Sequence, residues 1–245
     1  LDRQAERPAI RPVVAVLRPP ARLIVRLVPG RFGFEVSTVL AVGLVGGFAF
    51  GALGHAVEGS RVLDVDRRGA ELADDLRFGM LVDVAKAVTF LGTFPAVELL
   101  VLSTAVLLAR RGRWAEAGAL VAGALLVFVS VHVGKAIVDR PRPPDPLVAA
   151  GGSSYPSGHA AYSTAWPAAA IALARAGMVR IRSSIPLVVI ALVLAAAIGL
   201  SRIVLRVHWW TDVIGGWGLG VACFSLCALL LVVISSVRQN EGAPA

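Results

Sequence analysis

Three short segments hold most of the residue types that can do chemistry. The first runs from Lys135 through Arg140 and Arg142 to Pro143, the second is Tyr155-Pro156-Ser157-Gly158-His159, and the third runs from Ser201 and Arg202 through Arg206 and His208 to Asp212. Lys135, Arg142 and Arg202 stand at the ends of apolar runs, where keeping several cations close together is costly unless an anion joins them. They invite a phosphate. Ser157, Gly158 and His159 stand where a helix is expected to start, so unpaired backbone N–H groups add donors for the same anion, and Gly158 permits close approach. His208 and Asp212 are spaced i, i+4 and are expected on one face of the last helix's first turn. A carboxylate there can hold one imidazole nitrogen and fix the tautomer, leaving the other free for attack or proton transfer. His159 can supply an acid. Two histidines and an aspartate also resemble a metal triad, but the five cations Lys135, Arg140, Arg142, Arg202 and Arg206 argue against a bound metal ion. Neither a metal nor another cofactor is expected.

The elements that must position these residues follow from composition. Of 245 residues, 57% are hydrophobic and 16% charged, which excludes disorder and disfavours a soluble globular domain. Six runs nearly free of Asp, Glu, Lys and Arg cover residues 36–57, 87–109 (interrupted by Glu98), 117–134, 146–174, 183–201 and 213–237. A spanning helix needs about 20 apolar residues, so the expected fold is all-α, a polytopic membrane protein with six transmembrane helices. The fourth helix is set at 157–176, because Gly, Ser and Pro before it read as loop. The net charge of +8 would suggest nucleic acid for a soluble protein. Here basic loops orient membrane helices, so membrane lipids are the expected surroundings and nucleic acid is excluded as a partner. Cys223 and Cys227, one helical turn apart in an apolar run, form no disulfide framework.

Charge counted loop by loop gives the orientation. Residues 1–35 carry seven Arg against three acids, whereas residues 58–86 carry seven acids against five bases. Arg110, Arg111, Arg113, Arg175, Arg180, Arg182 and Arg238 then fall on the first side. Both termini are therefore expected in the cytoplasm and the three chemical segments outside. Leu72, Leu76, Met80, Val84 and Val88 recur every four residues among charges, which predicts one amphipathic helix lying at the outer interface. The domain reading is a cytosolic Arg/Pro-rich segment over 1–35, a six-helix membrane domain over 36–237 and a cytosolic tail over 238–245. The first segment lacks a continuous apolar core, so no cleavable signal peptide is expected.

The three segments resemble the signature motifs of the type-2 phosphatidic acid phosphatase superfamily, the lipid phosphate phosphatases. Lys135, Arg142 and Pro143 fit its Lys, six residues, Arg-Pro. Pro156 to His159 fit its Pro-Ser-Gly-His, and Ser201, Arg202, His208 and Asp212 fit its Ser-Arg, five residues, His, three residues, Asp. The resemblance implies that His208 is a nucleophile forming a phosphohistidine, that Asp212 orients it and that His159 protonates the leaving group. It implies phosphate binding by Lys135, Arg142, Ser157, Gly158 and Arg202. The expected activity is metal-independent dephosphorylation of a lipid phosphate or pyrophosphate at the outer face of a bacterial-type cytoplasmic membrane. Polyprenyl pyrophosphate, phosphatidylglycerol phosphate and phosphatidic acid all present the group these motifs hold. The superfamily's fold is shared with soluble vanadate-dependent haloperoxidases, an activity the six spans argue against.

Two alternatives use the same residues. A lipid phosphotransferase would pass the group to another acceptor and release no free phosphate without one, and a non-catalytic headgroup-binding protein would turn nothing over. The residues imply no oligomeric state. Among the rest, Trp209 and Trp210 read as interface-belt aromatics. Arg140 and Arg206 divide between substrate contact and pairing with Asp139 or Asp145. His132 reads as neutral and hydrogen-bonded within its span, Glu98 as an outer-interface group, and the two cysteines as small apolar packers.

Overall fold

The computed structural model describes residues 30–75 and 78–241. They form helices α1 (Gly30–Ala56), α2 (Asp64–Asp75), α3 (Gly79–Phe90), α4 (Phe94–Arg110), α5 (Trp114–Val138), α6 (Gly158–Ser163), α7 (Ala165–Arg175), α8 (Ile181–Val204) and α9 (Trp210–Glu241). The described residues contain no strand. The all-helical expectation therefore holds. The expected N-terminal segment lies outside the described residues up to 29, and the expected tail is helix as far as Glu241.

Among the described residues, four helices are long and apolar enough to cross a membrane: Gly33–Ala56, Trp114–Val138, Ser183–Val204 and Trp210–Ser235. α3 and α4 pass the same test as a pair, bent by 46°. Large apolar side chains such as Val45, Phe48, Leu99, Ile137 and Ile190 stand exposed along these helices. So much exposed apolar surface is costly in water and ordinary against lipid.

Three sequence expectations need correction. The amphipathic segment is two helices rather than one. The inward face of α2 is Asp66, Gly69 and Ala73, not the Leu72 stripe, while Leu72, Met80 and Val84 point outward. Gly69 is required there because a Cβ would sit 1.5 Å from the Trp210 ring. The second expected span does not start cleanly at 87. It bends at Leu91–Thr93, where Pro95 opens α4 and Gly92 admits Ile198, whose Cγ2 would lie 2.3 Å from a Cβ. The fourth expected span divides at Thr164 into α6 and α7, which pack against α8, α9 and α4.

α9 is the central helix, contacting α1, α5 and α6. Its small residues allow this. A Cβ on Gly218 would lie 2.6 Å from the Gly46 carbonyl oxygen, and one on Gly46 would meet the Gly218 carbonyl at the same distance. Backbones this close gain dispersion contacts that lipid cannot replace. Gly216 likewise lets α9 approach the Ser157 carbonyl, where a Cβ would be 2.5 Å away. The start of α9 is thereby fixed against the loop that opens α6.

Candidate active site

The ends of α5 and α8 and the starts of α6 and α9 meet at one end of the bundle. Asp139, in the left-handed region at φ 41°, closes α5 with its N–H on the Lys135 carbonyl at 3.1 Å. The loop from there to Ser157 is tied down by its own backbone. Ser154 N donates to Arg140 O at 2.7 Å, Ser157 N donates to Asp212 O at 3.0 Å, and the Tyr155 hydroxyl donates to the Phe50 carbonyl.

A cavity of about 270 Å³ opens here, and Lys135, Arg142, Gly158, His159, Arg202 and His208 all line it. Six of the eight expected site residues thus share one space. Asp212 and Ser157 stand behind it, both at 0% exposure. Lys135 Nζ donates to the Ser153 carbonyl. Arg142 donates from Nη1 to Val207 O at 2.7 Å, from Nη2 to Gly151 O at 2.8 Å and from Nε to Gly152 O at 3.1 Å. Arg202 Nη1 donates to Thr89 Oγ1 at 2.8 Å. Arg202 Nε and Ser157 Oγ are buried without a protein partner. Buried polar atoms normally find one; Arg140 Nε and Arg206 Nε nearby lack one as well.

His208 lies before the last helix, not within its first turn, because α9 begins at Trp210. The reason is a reach-back cap. Asp212 Oδ2 accepts from Trp209 N at 2.8 Å, three residues earlier, as the acidic member of a capping box does. The same oxygen lies 3.4 Å from His208 Nδ1. Arg142 Nη1 approaches His208 Nε2 at 3.2 Å. Those partners assign the proton to Nδ1 and leave the Nε2 lone pair toward the cavity. Burial, above all, lowers the His208 pKa to about 4; Arg142 and Lys135 lower it further, against the hydrogen bond and charge of Asp212. The imidazole is therefore neutral at physiological pH. Arg142 is also lowered from its ordinary value, chiefly by burial, with Asp212 opposing.

Several readings of neighbouring residues change. Arg140 pairs with neither Asp139 nor Asp145. It is 1% exposed and bridges Asp66 and Asp212. Arg206 pairs with Asp74 at 3.3 Å. Trp209 is buried, donating from Nε1 to Pro141 O at 3.1 Å, which removes it from an interface belt, while the half-buried Trp210 packs beneath α2 at Gly69. His132 Nδ1 lies 2.8 Å from Phe128 O and its ring also lines the cavity. Glu98 is exposed on the second turn of α4. Cys223 and Cys227 are free. The residues that sequence reasoning missed are Asp66 and Thr211. No motif marks them, and their partner Arg140 is more than 70 positions from each.

A family model described as the PAP2 superfamily matches residues 116–234, which include all eight expected site residues. Phosphatidylglycerophosphatase B of Bacillus subtilis (strain 168) is 32% identical over 195 residues, covering 77% of this chain and 94% of that protein. The crystal structure of a transmembrane PAP2-type phosphatidylglycerolphosphate phosphatase from Bacillus subtilis matches with a TM-score of 0.69 at 26% identity, over 78% of this chain and 94% of that one. The crystal structure of Aquifex aeolicus LpxE shares the fold, with a TM-score of 0.56 at 21% identity over 70% of this chain and 98% of that one. With one relative above 30% identity along nearly its whole length, the chain belongs to the PAP2 superfamily.

Proposed function

We propose that this protein removes a phosphate from a membrane lipid through a phosphohistidine on His208. The observation that carries the proposal is the convergence of Lys135, Arg142 and Arg202 with a neutral, carboxylate-backed His208 on one cavity at the end of the bundle. Those cations, with the unpartnered Ser157 Oγ and Arg202 Nε and the N–H groups at Gly158, are the donors for a phosphate's oxygens. Their charge takes the place a divalent cation would fill, so the proposed reaction is metal-independent. The His208 Nε2 lone pair attacks phosphorus, the P–O bond to the lipid breaks, and the leaving oxygen takes a proton from a His159 imidazolium, which the bound phosphate's negative charge stabilises against the surrounding cations. Asp212 holds Nδ1–H and stabilises the imidazolium that forms. Water deprotonated by His159 then cleaves the P–N bond, whose electron pair returns to Nε2.

The membrane arrangement belongs to the same reading. We place six crossings within residues 36–237: α1, the bent α3–α4 pair, α5, α6 with α7, α8 and α9. The Arg-rich ends at Arg110, Arg111, Arg113, Arg175 and Arg180 then face the cytoplasm, with both termini, and the cavity faces outward. α2 covers the outer end, its exposed Leu72 available to the interface. The substrate class is a lipid phosphate or pyrophosphate, and the curated relative's name puts phosphatidylglycerol phosphate first among them.

The test is release of inorganic phosphate by purified protein from phosphatidylglycerol phosphate, polyprenyl pyrophosphate and phosphatidic acid without an added acceptor. Release from at least one supports hydrolysis. Release that requires a second lipid or sugar identifies a phosphotransferase, and no turnover under either condition overturns the catalytic reading.

A further inference from the structure

One buried ionic cluster is not used by the reaction as written. Arg140 Nη2 donates to Asp66 Oδ2 at 2.7 Å and to Arg61 O at 2.9 Å, while Nη1 donates to Asp212 Oδ1 at 2.6 Å and to Thr211 Oγ1 at 2.7 Å. Asp66 Oδ1 accepts from Thr211 N at 3.0 Å, and Thr211 Oγ1 lies 3.0 Å from both carboxylate oxygens. The side chains of Asp66, Arg140 and Asp212 are all at 0% exposure. Taking three charges out of water is expensive, and hydrophobic residues of similar volume often serve stability as well. The arrangement has a consequence that an apolar plug would lack.

Two carboxylates share one guanidinium, so the cluster carries one net negative charge. A lone Arg140 would neutralise Asp212 and leave it little attraction for an imidazolium on its other oxygen. Asp66 offsets Arg140 from the far side and restores that attraction. Asp212 is also fixed in rotation, with Oδ1 on Arg140 and Oδ2 on Trp209 N, which aims Oδ2 at His208 Nδ1. Attack makes the ring cationic, in surroundings that already hold Lys135, Arg142, His159, Arg202 and Arg206. A counter-charge behind the ring matters most at that moment.

We propose that Asp66 on α2, acting through Arg140, is a positioning residue that holds Asp212 in place and supplies the net negative charge behind His208. This rests on the reading of His208 as the nucleophile. It also gives α2 a part in the reaction, since its buried face delivers Asp66 to the start of α9.

Asp66→Asn is the test. An amide would set an NH₂ against either Thr211 N–H or the Arg140 guanidinium, so no side-chain flip satisfies both donors. The expected result, in protein that stays folded and binds vanadate normally, is a fall in kcat of about tenfold or more with KM within about twofold. The titration midpoint of the His208 ring, followed by NMR of ¹⁵N-labelled histidine, should move to lower pH, because a more positive surrounding disfavours the imidazolium. Mere loosening would admit water to His208 and move that midpoint up toward an ordinary imidazole. A midpoint that stays or rises, or a kcat within about twofold of wild type, overturns the proposal. Should Asp66→Asn fail to fold, Thr211→Val keeps all three charges and removes one bridging hydroxyl. It is expected to lower kcat about three- to tenfold at unchanged KM, and an unchanged kcat overturns the proposal. His208→Ala separates the two readings: turnover in that variant defeats the phosphohistidine reading, whereas its loss beside a fully active Asp66→Asn defeats only the role of Asp66.

Discussion

Acid should leave His208 neutral long after an ordinary histidine has charged. Burial holds His208 at about 4, against a free value of 6.5. At pH 5.5 an imidazole with the free value is only about 9% neutral, whereas one at 4 is about 97% neutral, a tenfold difference in competent enzyme. Because a phosphate substrate itself titrates near pH 6, the ring should be followed directly. Protein labelled with ¹⁵N-histidine in detergent micelles has four imidazoles to resolve. Loss of a signal in His208→Ala assigns the one that matters. Its midpoint should lie near 4, with the proton on Nδ1 above that pH. The sign for stability follows. Between pH 6.5 and 4 the unfolded chain binds a proton that the folded His208 does not, so acidification through this window weakens the fold, by up to about 3 kcal/mol from this group. A midpoint between 6 and 7, or a signal that keeps both nitrogens protonated at pH 6, would refute the burial argument.

Three other outcomes follow from the site. Activity should survive excess EDTA, since cationic side chains hold the phosphate, and orthovanadate should inhibit by imitating five-coordinate phosphorus; loss with EDTA that magnesium restores would contradict this. A cysteine at exposed Pro144, in protein lacking Cys223 and Cys227, should react with a membrane-impermeant thiol reagent in intact cells, and labelling only after membrane disruption would reverse the orientation. His159→Ala should slow the first release of the lipid alcohol by about a hundred- to ten-thousand-fold and the first release of p-nitrophenolate much less, since that leaving group needs little protonation; equal losses on both would remove His159 as the acid.

Much of the site was legible because its residues sit at helix ends, where spacing in the chain becomes position in space. Lys135 and Arg202 close two helices, Ser157 and Gly158 open a third, and antiparallel packing brings those ends together. Apolar runs likewise marked the long helices α1, α5, α8 and α9. Local patterns were silent on the rest. That Asp212 would use its carboxylate to cap Trp209, and so leave His208 just outside α9, depends on a backbone geometry that i, i+4 spacing does not encode. The bend at Gly92 follows from Ile198 on another helix. For Arg140 the sequence offers substrate contact or pairing with Asp139 or Asp145, because those are the acids near it in the chain. Its partners Asp66 and Asp212 lie 74 and 72 positions away, and only the fold brings them to it.

The central claim is that phosphate passes through His208. Purified protein mixed with a lipid phosphate, quenched in alkali during turnover, digested and analysed by mass spectrometry should yield a phosphorylated peptide containing His208, with the group lost in acid. The same experiment with His208→Ala should give no such peptide and no phosphate release, while His159→Ala given p-nitrophenyl phosphate, whose leaving group needs little protonation, should accumulate the adduct because water attack is slowed. Turnover that persists in His208→Ala, or a phosphate found on His159 instead, would contradict the account.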